Sequence, residues 1–163
     1  MTVKEFKFQY ALGTISFNDL VRIVKKTKSK YILTTLSKYK ERYIRCQVAG
    51  NPNTPTDMLI ILSKDKDEFV RYCVAKNPNT PVEVLTKLFK EKTWNMRDSL
   101  TENPNVPVDI LTKLSKNINW YIRTKVVEHP NTPIDILNKL SKDRNWTVKE
   151  YAKRILLDKG IKV

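Results

Sequence analysis

The residue types that build metal centres, disulfide frameworks and membrane spans are scarce in this sequence. Its 163 residues include two cysteines and one histidine. Cys46 and Cys73 form no Cys-x-x-Cys pair, so we expect reduced thiols rather than a disulfide framework or metal ligands. His129 has no second ligand nearby, and the longest apolar run, residues 58–62, is far too short to span a bilayer. Since the start also lacks the apolar stretch of a signal peptide, we expect a cytoplasmic protein without metal, cofactor or membrane partner.

Acidic residues are also few, and charge is unevenly distributed. Seventeen Asp and Glu residues oppose thirty-one Lys and Arg residues, which gives a formal net charge of +14. Residues 1–50 carry eleven basic and three acidic side chains, whereas residues 51–102 carry eight of each. Because a general preference for lysine would affect both segments alike, this contrast favours a binding surface for an acidic partner near the N-terminus.

Proline is confined to one motif. All eight prolines lie in four copies of this motif, spaced 26 residues apart, at residues 51–55, 77–81, 103–107 and 129–133. The motif reads Asn-Pro-Asn-Thr-Pro, with Val106 replacing Thr in the third copy and His129 replacing the first Asn in the fourth. A ring nitrogen can imitate the Asn side chain in an Asx-type turn, which is the role we expect for His129. A fixed period of this size predicts an all-α solenoid of stacked helical repeats.

Each repeat is predicted to hold two short helices. We expect the motif's Thr (Thr54, Thr80 and Thr132) to cap the first helix, with Pro at its first position and a carboxylate at its third. Val106 should weaken the third cap by about 1 kcal/mol. Apolar residues at i, i+1 and i+4, such as Met58, Leu59 and Leu62, give this helix one buried face. The second helix ends at the next Asn-Pro, because the residue before proline avoids the α region.

The period sets the boundaries of one continuous domain, residues 1–163. The predicted segments are an N-terminal cap, a degenerate repeat, four full repeats and a C-terminal end, at residues 1–27, 28–50, 51–76, 77–102, 103–128, 129–154 and 155–163. The first dozen residues fit a strand or a helix equally well, and Ser16 resembles the start of a capping box. No linker-like stretch divides the chain.

Residues 51–154 resemble the variant leucine-rich repeat family. That family's pattern runs Asn-Pro-Asn-Thr-Pro, Leu-x-x-Leu, Asp and Val-Arg-x-x-Val-Ala, and the first two copies match it at residues 77–81, Leu85, Leu88, Asp65 and residues 70–75. The resemblance implies a right-handed superhelix similar to HEAT-type solenoids, and it implies no single activity. One described member carries an iron–sulfur cluster on clustered cysteines, a property that the separated cysteines of this chain do not support.

The strongest functional signal is a basic segment with tyrosines interleaved. Its members are Arg22, Lys25, Lys26, Lys28, Lys30, Lys38, Lys40, Arg42 and Arg45. Such a density of cations predicts a surface for the phosphates of DNA or RNA. We therefore predict a non-catalytic module that binds a nucleic-acid backbone. The alternative is an interaction scaffold for an acidic protein partner.

Two columns of the repeat are candidates for lining a groove. The cationic column is Arg45, Arg71, Arg97, Arg123 and Lys149, and the aromatic column is Trp94, Trp120 and Trp146. An acidic residue six positions before the cation in three copies favours a ladder that bridges repeats over a stripe that binds phosphate. For the tryptophans, packing between repeats is the preferred interpretation. The alternative is a groove in which they stack on nucleic-acid bases beside Arg97, Arg123 and Lys149.

A third functional hypothesis rests on Trp94 and Asp98. Their spacing resembles that of alkylpurine DNA glycosylases built of HEAT-like repeats, in which an Asp and an Arg stabilise the charge developing at the damaged nucleotide. The resemblance would assign the Arg role to Arg123. The other repeats do not keep this Asp, and one spacing is not the convergent set of groups that a catalytic site requires. A non-enzymatic function is therefore the preferred prediction.

Overall fold

The computed structural model describes residues 1–162, which fold into twelve α-helices without a β-strand. The first helices of successive pairs are α1 (Val3–Ala11), α3 (Lys30–Leu36), α5 (Thr56–Leu62), α7 (Val82–Leu88), α9 (Val108–Leu114) and α11 (Ile134–Leu140). The second helices are α2 (Phe17–Lys26), α4 (Arg42–Gly50), α6 (Glu68–Lys76), α8 (Trp94–Thr101), α10 (Trp120–Glu128) and α12 (Trp146–Asp158). The predicted all-α repeat fold is confirmed. Across residues 1–162, no helix has the length and apolarity needed to reach from one side of a membrane to the other.

The helices group into two compact units, Met1–Val84 and the residues from Leu85 onward. In the first unit α4 packs against α2 and α6, and in the second unit α10 packs against α8 and α12. The apolar stripes of the first helices form the core, where Leu59, Leu62, Leu111 and Leu114 are at most 2 % exposed. Each such side chain contributes roughly 1.5–3 kcal/mol through burial. The division falls within α7, and one continuous domain stays a prediction.

The N-terminal residues adopt the helical alternative. Thr2 caps α1, because its hydroxyl accepts a hydrogen bond from the Glu5 N–H at 3.2 Å while the Glu5 carboxylate accepts one from the Thr2 N–H at 2.7 Å. Phe6 and Tyr10 lie one turn apart, and their rings stack with centroids 5.2 Å apart. The helix α2 follows with the predicted serine cap. Residues 3–26 thus form a helix pair of the same kind as those that follow.

Thr54 and Thr132 do not cap the helices that follow them, so the predicted threonine cap is wrong in these two copies. The proline itself takes the N-cap position, as Pro55 does, with extended backbone angles. The buried Thr80 hydroxyl donates backward to the Val74 carbonyl at 2.6 Å, and equivalent bonds are made by Thr54 and Thr132. The last carbonyls of a helix lack intrahelical partners, so the hydroxyl satisfies one of them. In the third copy Val106, 2 % exposed, fills this position with apolar volume.

In the first two copies of the motif, the first Asn ties its repeat to the one before it. Asn51 is 5 % exposed, and its side-chain amide donates to the carbonyls of Val24 at 2.5 Å and Thr27 at 3.1 Å. Its Oδ1 accepts a hydrogen bond from the Asn53 N–H at 2.7 Å. Asn77 makes the same kind of bonds to the connector of the preceding repeat. These connectors are therefore joined to one another through buried amides.

His129 performs the same task with an imidazole ring. Its Nδ1 accepts a hydrogen bond from the Asn131 N–H at 3.2 Å, and its Nε2 lies 2.9 Å from the Asn103 carbonyl oxygen. Because a carbonyl can only accept, this pattern assigns the ring hydrogen to Nε2 of a neutral imidazole. The ring thus makes the Asn-like turn that the sequence predicted.

Cys46 on α4 and Cys73 on α6 are free, half-buried thiols. One turn earlier on each helix, the Arg42 guanidinium lies 5.0 Å from the Phe69 ring centroid, a contact that sets the register of the two helices. A hydrogen bond between the thiols raises the pKa of Cys46 and lowers the pKa of Cys73. Since the thiolate is the reactive form, we expect iodoacetamide at about pH 8 to alkylate Cys73 before Cys46, as followed by peptide mass spectrometry.

The matched variant for this prediction is Cys46→Ala. It removes the hydrogen-bond donor, so the pKa of Cys73 rises. Below the pKa, each unit of increase lowers the thiolate fraction about tenfold, and alkylation of Cys73 slows accordingly. Equal alkylation rates for Cys73 in the parent and the variant would contradict the assignment.

Candidate nucleic-acid interface

Arg45 forms a rung of the ladder that was the preferred interpretation of the arginine column. It is 8 % exposed, and its Nε and Nη2 donate to the two carboxylate oxygens of Asp65 at 2.7 and 3.0 Å. Its Nη1 donates to the carbonyls of Tyr39 at 2.9 Å and Lys40 at 2.8 Å. A planar, bidentate pair of this kind holds two repeats in a fixed orientation.

Arg123 repeats the arrangement in the second unit. Its Nε and Nη2 each lie 2.7 Å from a carboxylate oxygen of Asp143, and its Nη1 donates to the carbonyls of Asn117 and Ile118. The hydrogen bond from Arg123 holds the pKa of Asp143 below its usual value, although burial acts in the opposite direction. The carboxylate thus comes from the following repeat. The residue six positions before the arginine contributes its backbone carbonyl instead.

The ladder contains two of the predicted binding residues. Arg45 belongs to the predicted basic segment and Arg123 to the predicted groove, but both are buried and their guanidinium groups are already hydrogen-bonded within the protein. A role for either residue in binding phosphate stays a prediction. Arg97 is half-buried and donates to the Lys92 carbonyl. Lys149, in the same column, is half-buried and makes no ion pair within residues 1–162.

The cations of the basic segment are neighbours in sequence, but they fall into two groups that lie at opposite ends of α3. Arg22, Lys25, Lys26, Lys28 and Lys30 surround the turn from α2 to α3, and we call them the α2–α3 cluster. The helix α3 then carries the chain about 10 Å to the other end. Lys38, Lys40 and Arg42 lie there, in the connector to α4. The nine residues therefore do not form one surface.

Most cations of the α2–α3 cluster remain available. Arg22 lies 3.5 Å from Asp19, and Lys30 lies 3.5 Å from Asp57, both as exposed pairs. Exposed pairs of this kind contribute about 0–1 kcal/mol and separate readily. Lys25, Lys26 and Lys28 are exposed and form no ion pair within residues 1–162. The cluster is thus a compact positive surface.

A second set of cations recurs with the repeat. The connectors from first to second helices carry exposed basic residues two and four positions after the first helix ends, and we call the set within each unit the connector edge of that unit. The edges comprise Lys38, Lys40, Lys64 and Lys66 in the first unit and Lys90, Lys92, Lys116, Lys142 and Arg144 in the second. The lysines two positions after each first helix from α3 onward recur in the sequence, where they can meet the negative end of that helix, but nearness along the chain does not group them into one surface. The 26-residue period was the signal that identifies them.

Aromatic side chains accompany the connector edge of the second unit. Trp94, Trp120 and Trp146 are the first residues of α8, α10 and α12 and are 48, 46 and 74 % exposed. Because Cα–Cβ bonds tilt toward a helix N-terminus, these indoles lean toward the connectors that carry the lysines. The Trp94 and Trp120 rings contact Tyr121 at centroid distances of 6.0 and 6.3 Å. Trp94 and Tyr121 belong to successive repeats, whereas Trp120 and Tyr121 are neighbours in sequence, so of these two contacts only the first joins two repeats.

A groove opens at this edge in the second unit. It measures about 500 Å³ and is lined by Ser115, Lys116, Asn117, Ile118, Arg123, Asp143 and Arg144. Arg123 and Asp143 form its floor as a neutralised pair, so the exposed cations at its rim determine its charge. Ile118, 87 % exposed, interrupts the column of basic residues.

No protein-family model, curated protein or solved structure matches this chain. The resemblance to the variant leucine-rich repeat family stays a prediction, and so does its right-handed superhelix. Function therefore has to be inferred from the residues and their geometry.

The three residues of the glycosylase hypothesis lie on two helices of the second unit. Trp94 and Asp98 are one turn apart on α8, and Arg123 lies on α10. Because the Arg123 guanidinium is already paired with the Asp143 carboxylate, its charge is not available to a damaged nucleotide. The hypothesis stays a prediction, with its assigned cation already engaged.

Proposed function

We propose that this chain is a non-catalytic binding module that holds the phosphate backbone of a nucleic acid on exposed lysines. The observation that carries the proposal is a division among the cations. The ladder arginines are buried and hydrogen-bonded to carboxylates and carbonyls, whereas the α2–α3 cluster and the connector edges keep exposed lysines without ion pairs within residues 1–162. Exposed lysines without partners raise the local concentration of polyanions and release counterions when phosphates bind.

The second unit is also polarised in a way that suits this function. The edge opposite the connector edge bears exposed carboxylates, at Glu102, Asp109, Glu128 and Asp135. Glu128 lies 4.0 Å from Lys125 and Asp135 lies 3.5 Å from Lys139, so this edge carries charges of both signs. Lys116, Lys142 and Arg144 make no ion pair within residues 1–162, and they attract phosphate. A polyanion is therefore directed to one edge of this unit. Contacts of this kind position a backbone but do not read its sequence.

The test is a titration of fluorescein-labelled DNA and RNA oligonucleotides by fluorescence anisotropy across about 50–300 mM salt. We expect log K to fall linearly with log salt, with a slope of about −0.7 to −0.9 per neutralised phosphate. The double variant Lys142→Glu with Arg144→Glu should weaken binding roughly tenfold and reduce the slope by about 2. The slope matters most, because it counts the phosphates that are contacted.

The matched control is Lys159→Glu with Lys162→Glu. It makes the same charge change beyond the far end of α12, about 20 Å from the connector edge. Since this exceeds the screening length at physiological salt, its affinity should stay within about twofold of the parent. Equal weakening by both double variants would mean that net charge alone drives binding. Absence of binding by the parent protein at 50 mM salt would reject the proposed function.

The N-terminal surface is tested by a separate variant, Lys25→Glu with Lys26→Glu and Lys28→Glu. These lysines belong to the first unit and lie at the other end of its helices from Lys38 and Lys40. Weaker binding by this variant would make the α2–α3 cluster part of the interface. Parent-like binding would restrict the interface to the connector edges.

An acidic protein partner is the second candidate, and Ile118 is the observation that favours it. An isoleucine that is 87 % exposed beside Lys116 suits an apolar contact from a folded or peptide ligand. The variant Ile118→Lys separates the two candidates. Nucleic-acid affinity should rise and its salt slope steepen by about 1, because the column of cations becomes complete. Binding of an acidic protein through Ile118 would weaken instead.

A further inference from the structure

Packing within residues 1–162 does not explain why the indole of Trp146 is exposed. It is 74 % exposed, and within residues 1–162 its ring contacts no other aromatic ring. Trp94 and Trp120, by comparison, each contact the Tyr121 ring, in a tilted and an edge-on arrangement respectively. An indole is a large apolar surface, and leaving it in water forgoes the stabilisation that burial would provide.

The groups around Trp146 are cationic and uncommitted. Lys142 and Arg144 precede it in the connector, and Lys149 follows at i+3 on the same face of α12. Lys142, Arg144 and Lys149 make no ion pairs within residues 1–162. The nearby acids are occupied, because Asp143 binds Arg123 and Glu150 lies 3.1 Å from Lys153. A free π-face thus lies among three available cations.

We propose that the connector edge of the second unit selects single-stranded nucleic acid, with an unpaired base stacked on Trp146 and the adjoining phosphates held by Lys142, Arg144 and Lys149. This inference rests on the proposed function and specifies its ligand. A base inside a duplex is already stacked on both faces, so it cannot offer a face to the indole without being unpaired. An unpaired base can offer a face to the indole. Stacking of this kind tolerates any sequence because every base has a π-face.

The partly covered indoles extend the same surface. Trp94 and Trp120 each leave nearly half of their area open beside Lys90, Lys92 and Lys116. Because successive second helices are about 10 Å apart, the rings recur at one per repeat along the edge. Trp146 is the most open of the three and therefore provides the sharpest test.

The experiment uses a protein whose only tryptophan is Trp146, obtained with Trp94→Phe and Trp120→Phe. Its fluorescence is titrated with oligo(dT) of 15 nucleotides, a 15-base-pair duplex, and a poly-glutamate peptide of matched charge. We expect quenching by the single strand and not by the duplex, and a several-fold higher affinity for the single strand. In the otherwise unchanged protein, Trp146→Leu should weaken single-strand binding about 5- to 100-fold and leave duplex binding unchanged. Trp146→Phe, which keeps an aromatic face, should retain most of the affinity.

The outcomes separate this inference from the function on which it rests. Equal binding of single strand and duplex, with no quenching, would overturn the stacking site but leave backbone binding intact. No binding of either nucleic acid would overturn both. If poly-glutamate quenched the fluorescence of Trp146 and bound as strongly as oligo(dT), the stacking site and the proposed function would both be overturned in favour of an acidic protein partner. Because Trp146 is largely exposed, its variants should fold like the parent, which circular dichroism would verify.

Discussion

Replacing Arg123 by alanine is expected to lower the free energy of unfolding by about 3–5 kcal/mol, because it leaves a buried carboxylate without its cation. The Arg123 and Asp143 side chains are 6 and 9 % exposed, and two hydrogen bonds of 2.7 Å join them. The variant also strands the Asn117 and Ile118 carbonyls that the guanidinium satisfies. Urea denaturation followed by circular dichroism measures the loss.

The prediction has a double variant as its internal control. Arg123→Met with Asp143→Leu removes both charges and keeps the volume, so it should cost much less than either single change. Lys159→Ala, at an exposed position, should change stability by less than about 0.5 kcal/mol. If the single and double variants were equally destabilised, the lost hydrogen bonds to the Asn117 and Ile118 carbonyls, and not charge pairing, would account for the effect.

The same pair sets a pH dependence. Arg123 holds the pKa of Asp143 below that of the unfolded chain, about 3.9. The group therefore contributes stability that is fully present above this value and is lost as pH falls through the lower pKa of the folded state. The difference in stability between the parent and Arg123→Ala should shrink below about pH 4. A difference that stays constant down to acid pH would contradict the assignment.

Replacing Asn51 by alanine is the second change with a large expected effect. It strands the carbonyls of Val24 and Thr27 and the N–H of Asn53, three groups that the buried amide satisfies. A buried polar group left without a partner costs about 1–3 kcal/mol, so we expect a loss of about 3–5 kcal/mol in the free energy of unfolding. Asn51→Asp should be at least as harmful, because it places a carboxylate against two carbonyl oxygens.

The fourth copy of the motif indicates which substitution of Asn51 is conservative. His129 occupies the equivalent place in the fourth copy of the motif and makes one donor and one acceptor contact. Asn51→His should therefore be the mildest of the three substitutions, with a loss of about one hydrogen bond, 0.5–1.5 kcal/mol. Differential scanning calorimetry on the three variants gives the ranking. A histidine variant as unstable as the alanine variant would show that the connectors are not equivalent.

Two kinds of sequence pattern proved sufficient for the fold. The 26-residue period and the apolar stripes predicted the alternating helices from residue 28 onward, because burial of one face per helix leaves little choice of architecture. The first dozen residues were left open between a strand and a helix. The Asn-like role of His129 followed from the side-chain groups available at the motif. These inferences needed only local chemistry and spacing.

The partners across repeats were decided by the tertiary structure alone. Spacing within one repeat places Asp143 six residues before Lys149, but the stack brings the Asp143 carboxylate against Arg123 of the preceding repeat. Likewise, Thr54 was expected to cap the next helix, but the tight connector places its hydroxyl beside a carbonyl of the preceding helix. Distances between side chains on different helices depend on how the helices pack, and sequence spacing does not contain that information.

The sequence by itself determined that this protein is a helical repeat with an excess of lysine, because period and composition are properties of the chain. Only the tertiary structure decided which cations are free. It buried Arg45 in the ladder, and the length of α3 placed Lys26 and Lys38 at opposite ends of the first unit. It also left Trp146 exposed beside Arg144. Folding selects which residues of a charged segment share a surface, because each helix carries the chain from one end of its repeat to the other.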